Sequence, residues 1–144
     1  MSTLERAIAI AAAAHAGQTD KAGAPYILHP LRVMLRLTTD TERITAVLHD
    51  LVEDCEGWSF DRLLNEEKFS PEIIEALQAV TKREGETYED FVRRACENRI
   101  GRRVKFCDLL DNCDLSRISH PTAKDHERIA RYRRAIAYIE SLDR

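Results

Sequence analysis

The segment His49-Asp50-Leu51-Val52-Glu53-Asp54 sets one imidazole and three carboxylates among apolar neighbours. On a continuous helix, residues four apart share a face, so Glu53 lies over His49 and Asp54 over Asp50. Leu48, Leu51 and Val52 call for burial, and carboxylates drawn in with them are costly unless a cation accompanies them. The same hexapeptide also fits a solvated acidic stripe beside a hydrogen-bonded core histidine. His29 follows a glycine-containing connection and precedes Pro30. It can face the same cavity, although a histidine beside a proline is commonly structural. Asp108 sits in KFCDLLDN with Phe106, Cys107, Leu109 and Leu110 around it, and a buried aspartate needs a partner. Two imidazoles and two carboxylates make a mixed nitrogen and oxygen donor set. Such a set suits manganese, iron or zinc, whereas calcium would want more oxygens.

The elements that must position these groups read as helices almost throughout. Leu4, Ala7, Ile8, Ala11, Ala12 and Ala14 follow helical spacing over residues 3 to 16, with Ser2 and Glu5 spaced as a capping box and Gly17 as the stop. Residues 17 to 28 form an ordered connection, and Pro30 suits the first turn of a second helix. Thr39 and Glu42 repeat the capping-box spacing before a third helix over 41 to 55. Ser59 caps a short fourth through Leu63 and Leu64, and Ser70-Pro71 opens a fifth to Thr81. Thr87 opens a sixth to Asn98. A seventh covers 100 to 118 with Val104, Cys107, Leu110 and Leu115 inward, and an eighth covers 123 to 142. No period-2 strand or internal repeat is evident, so the expected fold is all-α: one domain, residues 1 to 144, of about eight helices.

Composition narrows the function. The chain is 44% hydrophobic and 33% charged, enough for a real core. Its net charge of −3 offers no basic excess for a phosphate backbone, which argues against DNA or RNA as partner. The longest apolar run, Ala7 to Ala14, is far short of a membrane span. The 4 cysteines contain no C-x-x-C pair and read as reduced, mostly buried thiols, so a cytoplasmic protein is expected. Phosphate-loop, dinucleotide and serine-elbow motifs are missing.

Four segments, AHAGQTDKAGAPYILHP, LHDLVED, VTKR and KFCDLLDN, occur in that order. With His29-Pro30, His49-Asp50 and Asp108 they resemble the HD-domain metal-dependent phosphohydrolases. More narrowly they resemble the hydrolase domain of RelA/SpoT-type alarmone enzymes, over residues 5 to 118. At this length no synthetase domain fits beside it, so the expected match is to the stand-alone small alarmone hydrolases. The resemblance implies His29, His49, Asp50 and Asp108 as ligands of one divalent ion, typically Mn2+, and Glu53 with Asp54 as the catalytic acid pair. It implies Lys21 in the nucleotide site and Asn112 facing the sugar. His15, in the A-H-x-G-Q motif, is left between a structural and a catalytic role.

The reaction so implied removes the 3′-pyrophosphate of guanosine tetra- or pentaphosphate (ppGpp, pppGpp), giving GDP or GTP and pyrophosphate. Glu53 or Asp54 would orient the water and accept its proton, with Lys21 and Arg32 on phosphate oxygens. Two alternatives stand beside it: an HD phosphohydrolase of another nucleotide, such as a nucleoside monophosphate, and a non-catalytic nucleotide-binding domain that regulates a partner. The Glu53-Asp54 pair and KAGAPYILHP favour the first reading. Three departures weigh on the substrate: Asp20 stands where many long relatives have a basic residue, and Asp111 and Asp114 where they often have histidine and arginine. Each removes positive potential, for which Lys82, Arg83 and Arg117 are candidate compensators. The sequence leaves the oligomeric state open.

Overall fold

Helix starts in this chain are written in short polar side chains. Thr3, Thr39, Ser70, Thr87, Asn98 and Thr122 each accept a hydrogen bond from a backbone N–H of the first turn that follows. The computed structural model describes residues 1–143. Eight α-helices are present among them: α1 Leu4–Ala14, α2 Leu28–Leu35, α3 Asp40–Leu48, α4 Leu51–Asp54, α5 Pro71–Ala79, α6 Tyr88–Glu97, α7 Arg99–Asn112 and α8 Ala123–Ser141. A π-helical turn, Arg62–Glu66, and a 3-10 turn, Leu115–Arg117, complete the set. Among the described residues the only extended pairing is one bridge between Thr19 and Pro25. The fold is all-α, as the apolar spacing predicts.

Four local expectations are corrected. Thr3, not Ser2, caps α1, because Ser2 gives its backbone N–H to the Lys68 carbonyl; on the same helix Ile10 is buried and Ala12 exposed. Thr39 caps α3, but Glu42 turns away to pair with Arg103 of α7. The helix expected over 41 to 55 breaks at His49-Asp50 into α3 and α4, with Asp50 near φ −101° and ψ 1°. The helix expected to reach 118 stops at Asn112. Asp114 adopts φ −81°, ψ 102° and accepts from the Ser116 N–H, a local bond that competes with helix continuation.

α3 is the central element, packed against α1, α2, α5 and α7. Val33, Leu37, Val47, Leu48, Leu51, Leu63, Phe69, Leu77 and Val104 form the main core, which holds α2, α3 and α7 side by side. A smaller cluster of Val92, Leu109, Ala135 and Ile139 docks α8 onto α6 and α7. The connection between α1 and α2 is held by Asp20, whose carboxylate accepts from the N–H groups of Ala22 and Ala24, both at 2.9 Å. Gly23 turns that loop with φ +85°.

Arg94 pins α6 to the end of α5. It donates to the carbonyls of Gln78 (2.9 Å) and Thr81 (2.8 Å) and forms a bidentate pair with Glu86 at 2.7 and 3.0 Å. The paired guanidinium holds the Glu86 carboxyl at about 2 instead of 4.5. A depressed carboxyl stabilises the fold above its unfolded value and loses that contribution as pH falls through the folded one. Glu86→Gln should therefore melt at a lower temperature than the wild type at neutral pH. The gap should close as pH falls from about 4.5 to about 2; a pH-independent gap in thermal unfolding would contradict the pairing.

Candidate functional site

The break between α3 and α4 creates the centre. His49 closes α3, and its ring Nδ1 lies 2.6 Å from the Ala46 carbonyl oxygen. A carbonyl only accepts, so Nδ1 carries a proton, and in the neutral ring Nε2 is left with its lone pair. That Nε2 is buried and has no hydrogen-bond partner. It faces Asp50 Oδ2 at 3.1 Å and Asp108 Oδ1 at 3.3 Å, both off the hydrogen-bonding direction. A lone pair turned toward two carboxylates is repulsive unless a cation, a proton or a metal ion, sits between them.

His29 enters from the first turn of α2. Its Nε2 is 2.9 Å from Asp108 Oδ1 and 3.8 Å from Asp50 Oδ2, and its Nδ1 is 2.7 Å from Asp111 Oδ2. Ligand atoms of His29, His49 and Asp50 all lie within 4.8 Å of one another, and Asp108 closes the group from α7. Burial works against charge on both imidazoles. The adjoining carboxylates outweigh it, those of Asp108 and Asp111 at His29 and of Asp50 and Asp108 at His49, so both pKa values rise. The orphaned Nε2, the convergent oxygens and the mixed donor set fit a divalent first-row cation.

Glu53 and Asp54 follow on α4, exposed at the rim, with no hydrogen bond or ion pair to either carboxylate among the described residues. Both are raised, first by burial of the carboxyl and then by repulsion from Asp50. Beside His29 opens a cavity of about 380 Å³, lined among others by Lys21, Arg32, Asn112, Arg117, Arg128 and Tyr132. Lys21 and Asn112 thus share one cavity, and Asn112 also donates to Asp108 at 3.1 Å. Lys82 and Arg83 are exposed and do not line it.

The acidic departures prove to be engaged. Asp20 is bonded within its own loop, and Asp114 pairs with Arg117 at 3.0 Å and bonds Ser116. Asp111 is buried and receives Arg32 at 2.8 and 3.1 Å. Arg32, expected on phosphate oxygens, is therefore tied to Asp111 of α7. His15 lies behind the centre with Nδ1 2.7 Å from Gln18 Oε1 and its ring 5.1 Å from Tyr26, while Gln18 donates to the Asp54 carbonyl at 3.2 Å. That arrangement is a brace for the connection. All four cysteines are free, two buried and two half-buried.

Two residues escape the sequence reading. Tyr26 donates its hydroxyl to Asp50, and nothing in its loop context signals this. Lys105 is buried, with Nζ 3.1 Å from Asp108 Oδ2 and 4.6 Å from the Phe91 ring centre. Its i, i+3 spacing to Asp108 on a helix was an available signal.

Comparison with known proteins agrees with this geometry. The family model described as HD domain matches residues 7–139. A Vibrio cholerae guanosine-3′,5′-bis(diphosphate) 3′-pyrophosphohydrolase is 30% identical over 102 residues, covering 68% of this chain and 14% of that protein. A probable GTP pyrophosphokinase of Mycobacterium leprae is 32% identical over 134 residues, covering 84% of this chain and 17% of that protein. The chain thus spans a small part of these relatives' length. A solved structure, of a metazoan ortholog of SpoT that hydrolyzes ppGpp, superposes with a TM-score of 0.74 at 22% identity, covering 94% of this chain and 84% of that one; it shares the fold. No helix among the described residues is long and apolar enough to cross a membrane. With a family model matched along most of its length and the paired histidines and aspartates gathered in one buried centre, the chain belongs to the HD-domain family.

Proposed function

We propose that this chain, acting as one HD-type hydrolase domain over residues 1 to 144, is a Mn2+-dependent cytoplasmic pyrophosphohydrolase that removes the 3′-pyrophosphate of ppGpp or pppGpp. The observation that carries the reading is the buried, unpartnered His49 Nε2 turned toward Asp50 and Asp108, beside a cavity whose lining includes Lys21 and three arginines. His29, His49, Asp50 and Asp108 would hold the ion. When bound, it supplies Lewis acidity to a phosphoryl oxygen and makes water a better nucleophile at neutral pH. Glu53 or Asp54, with free carboxylate oxygens at the rim, takes the proton of the attacking water. Lys21 meets phosphate oxygens and Asn112 meets the ribose, which fixes the sugar against the water. The relatives named for this reaction support the assignment.

A specific observation keeps a second reading in view. Among the described residues lining the cavity, Lys21 is the one cation without an ion-pair partner, since Arg32, Arg117 and Arg128 pair with Asp111, Asp114 and Asp125. A nucleotide with fewer phosphates, such as a monophosphate, needs no more than that.

Mn2+ should raise the melting temperature of the wild type, by an amount set by affinity and free concentration, and His49→Ala should abolish the rise. Glu53→Gln and Asp54→Asn should keep that thermal response but lose turnover by roughly 10² to 10⁴-fold. Loss of the response in both would contradict the division between ligands and base. Digestion of ppGpp in ¹⁸O-labelled water should give unlabelled GDP and singly labelled pyrophosphate by mass spectrometry. Orthophosphate as first product, or inertness to ppGpp beside brisk hydrolysis of a monophosphate, would replace the first reading by the second.

A further inference from the structure

Asp111 has a position unlike that of any other acid in the chain. It lies on α7 three residues after Asp108, 1% exposed, and its carboxylate sits between His29 of the centre and the cavity-lining Arg32. Oδ2 is 2.7 Å from His29 Nδ1. Arg32 donates Nε to Oδ1 at 2.8 Å and Nη2 to Oδ2 at 3.1 Å. Arg117 donates to the Asp111 main-chain carbonyl at 3.1 Å and sits 3.6 Å from Oδ2.

Two guanidinium groups beside it keep the carboxylate charged, so it can only accept. Asp111 accepts the His29 Nδ1 proton, so Nε2, 2.9 Å from Asp108 Oδ1 and 3.8 Å from Asp50 Oδ2, is the nitrogen placed to ligate a metal ion. The two imidazoles of the centre are therefore oriented differently. His49 gives its Nδ1 proton to a neutral carbonyl, that of Ala46, and His29 gives its own to a carboxylate. A carboxylate partner fixes ring orientation and raises the basicity of the ligating nitrogen. Arg32, with its side chain 30% exposed at the cavity, supplies the counter-charge from outside.

We infer that Asp111 is the positioning residue for His29, that Arg32 is the counter-ion that lets a buried carboxylate fill this role, and that the pair sets metal affinity without touching the reacting phosphate. This rests on His29 being a metal ligand. An acid where relatives often carry histidine is then a rebuilt support for the ligand and not a loss of substrate charge.

The test is titration of Mn2+ into metal-free protein, with free Mn2+ read by electron paramagnetic resonance, for the wild type, Asp111→Asn and Arg32→Gln. Folding of each is checked by the melting temperature of the metal-free form. Wild type should bind one ion, and Asp111→Asn should bind roughly 10- to 100-fold more weakly. Arg32→Gln should bind more weakly in the same direction. At saturating Mn2+ the KM of Asp111→Asn for ppGpp should match the wild type, since the acid does not contact substrate. Unchanged Mn2+ affinity in a folded Asp111→Asn overturns the proposal. If that variant does not fold, unchanged affinity in Arg32→Gln overturns it instead. A wild type that binds no Mn2+ overturns the metal reading and this inference with it, whereas a tight wild type with unaltered variants overturns this inference alone.

Discussion

The gathering of Asp50, Asp108 and Asp111 around the buried His29 ring is the constraint on which the centre depends. Three carboxylates brought this close inside a helical bundle would each cost several kcal/mol in desolvation and more in repulsion. Each is met by a partner from a different element. Tyr26 reaches Asp50 from the α1–α2 connection, Lys105 reaches Asp108 from one turn back on α7, and Arg32 reaches Asp111 from α2. The packing of α2, α3 and α7 therefore serves electrostatics as much as apolar burial. Remove the convergence and those three partners have no reason to point inward.

The balance is incomplete in an informative way. Lys105, Arg32 and Arg117 stand against the three carboxylates, and the raised pKa values of His29 and His49 show that the acids still draw positive charge onto the imidazoles. That unmet demand centres where His49 Nε2, without a hydrogen-bond partner, faces Asp50 and Asp108. A divalent ion held there would add positive charge beside the cavity and so favour an anionic ligand.

Much of this was legible in the sequence, and the parts that were not have physical causes. Capping threonines and serines and the apolar spacing located the helices, since both are local signals. His29, His49, Asp50 and Asp108 stood out because ionisable residues in apolar segments are expensive and few. The break at His49-Asp50 was not legible, because LHDLVEDC keeps a helical pattern through it. The cause is a side chain, the His49 ring, bonding the Ala46 carbonyl in the last turn of α3. Nor could sequence say that Glu42 would leave its expected capping role for Arg103, a partner far along the chain. Tertiary pairing chose between two local options there.

The acidic residues at 20, 111 and 114 show why a side chain's sign is a weak guide to a site's potential. Taken one at a time, each looks like repulsion aimed at a polyphosphate. In place, Asp20 is saturated by two backbone N–H groups, Asp114 by Ser116 and Arg117, and Asp111 by His29 and Arg32. A carboxylate that already accepts two or three hydrogen bonds projects little field into a neighbouring cavity. The same bonds also occupy Arg32 and Arg117, so these arginines hold the cavity's shape and contribute less attraction than their number suggests. Electrostatic attraction of an anionic ligand would then fall mainly to Lys21, the cavity-lining cation without an ion-pair partner among the described residues.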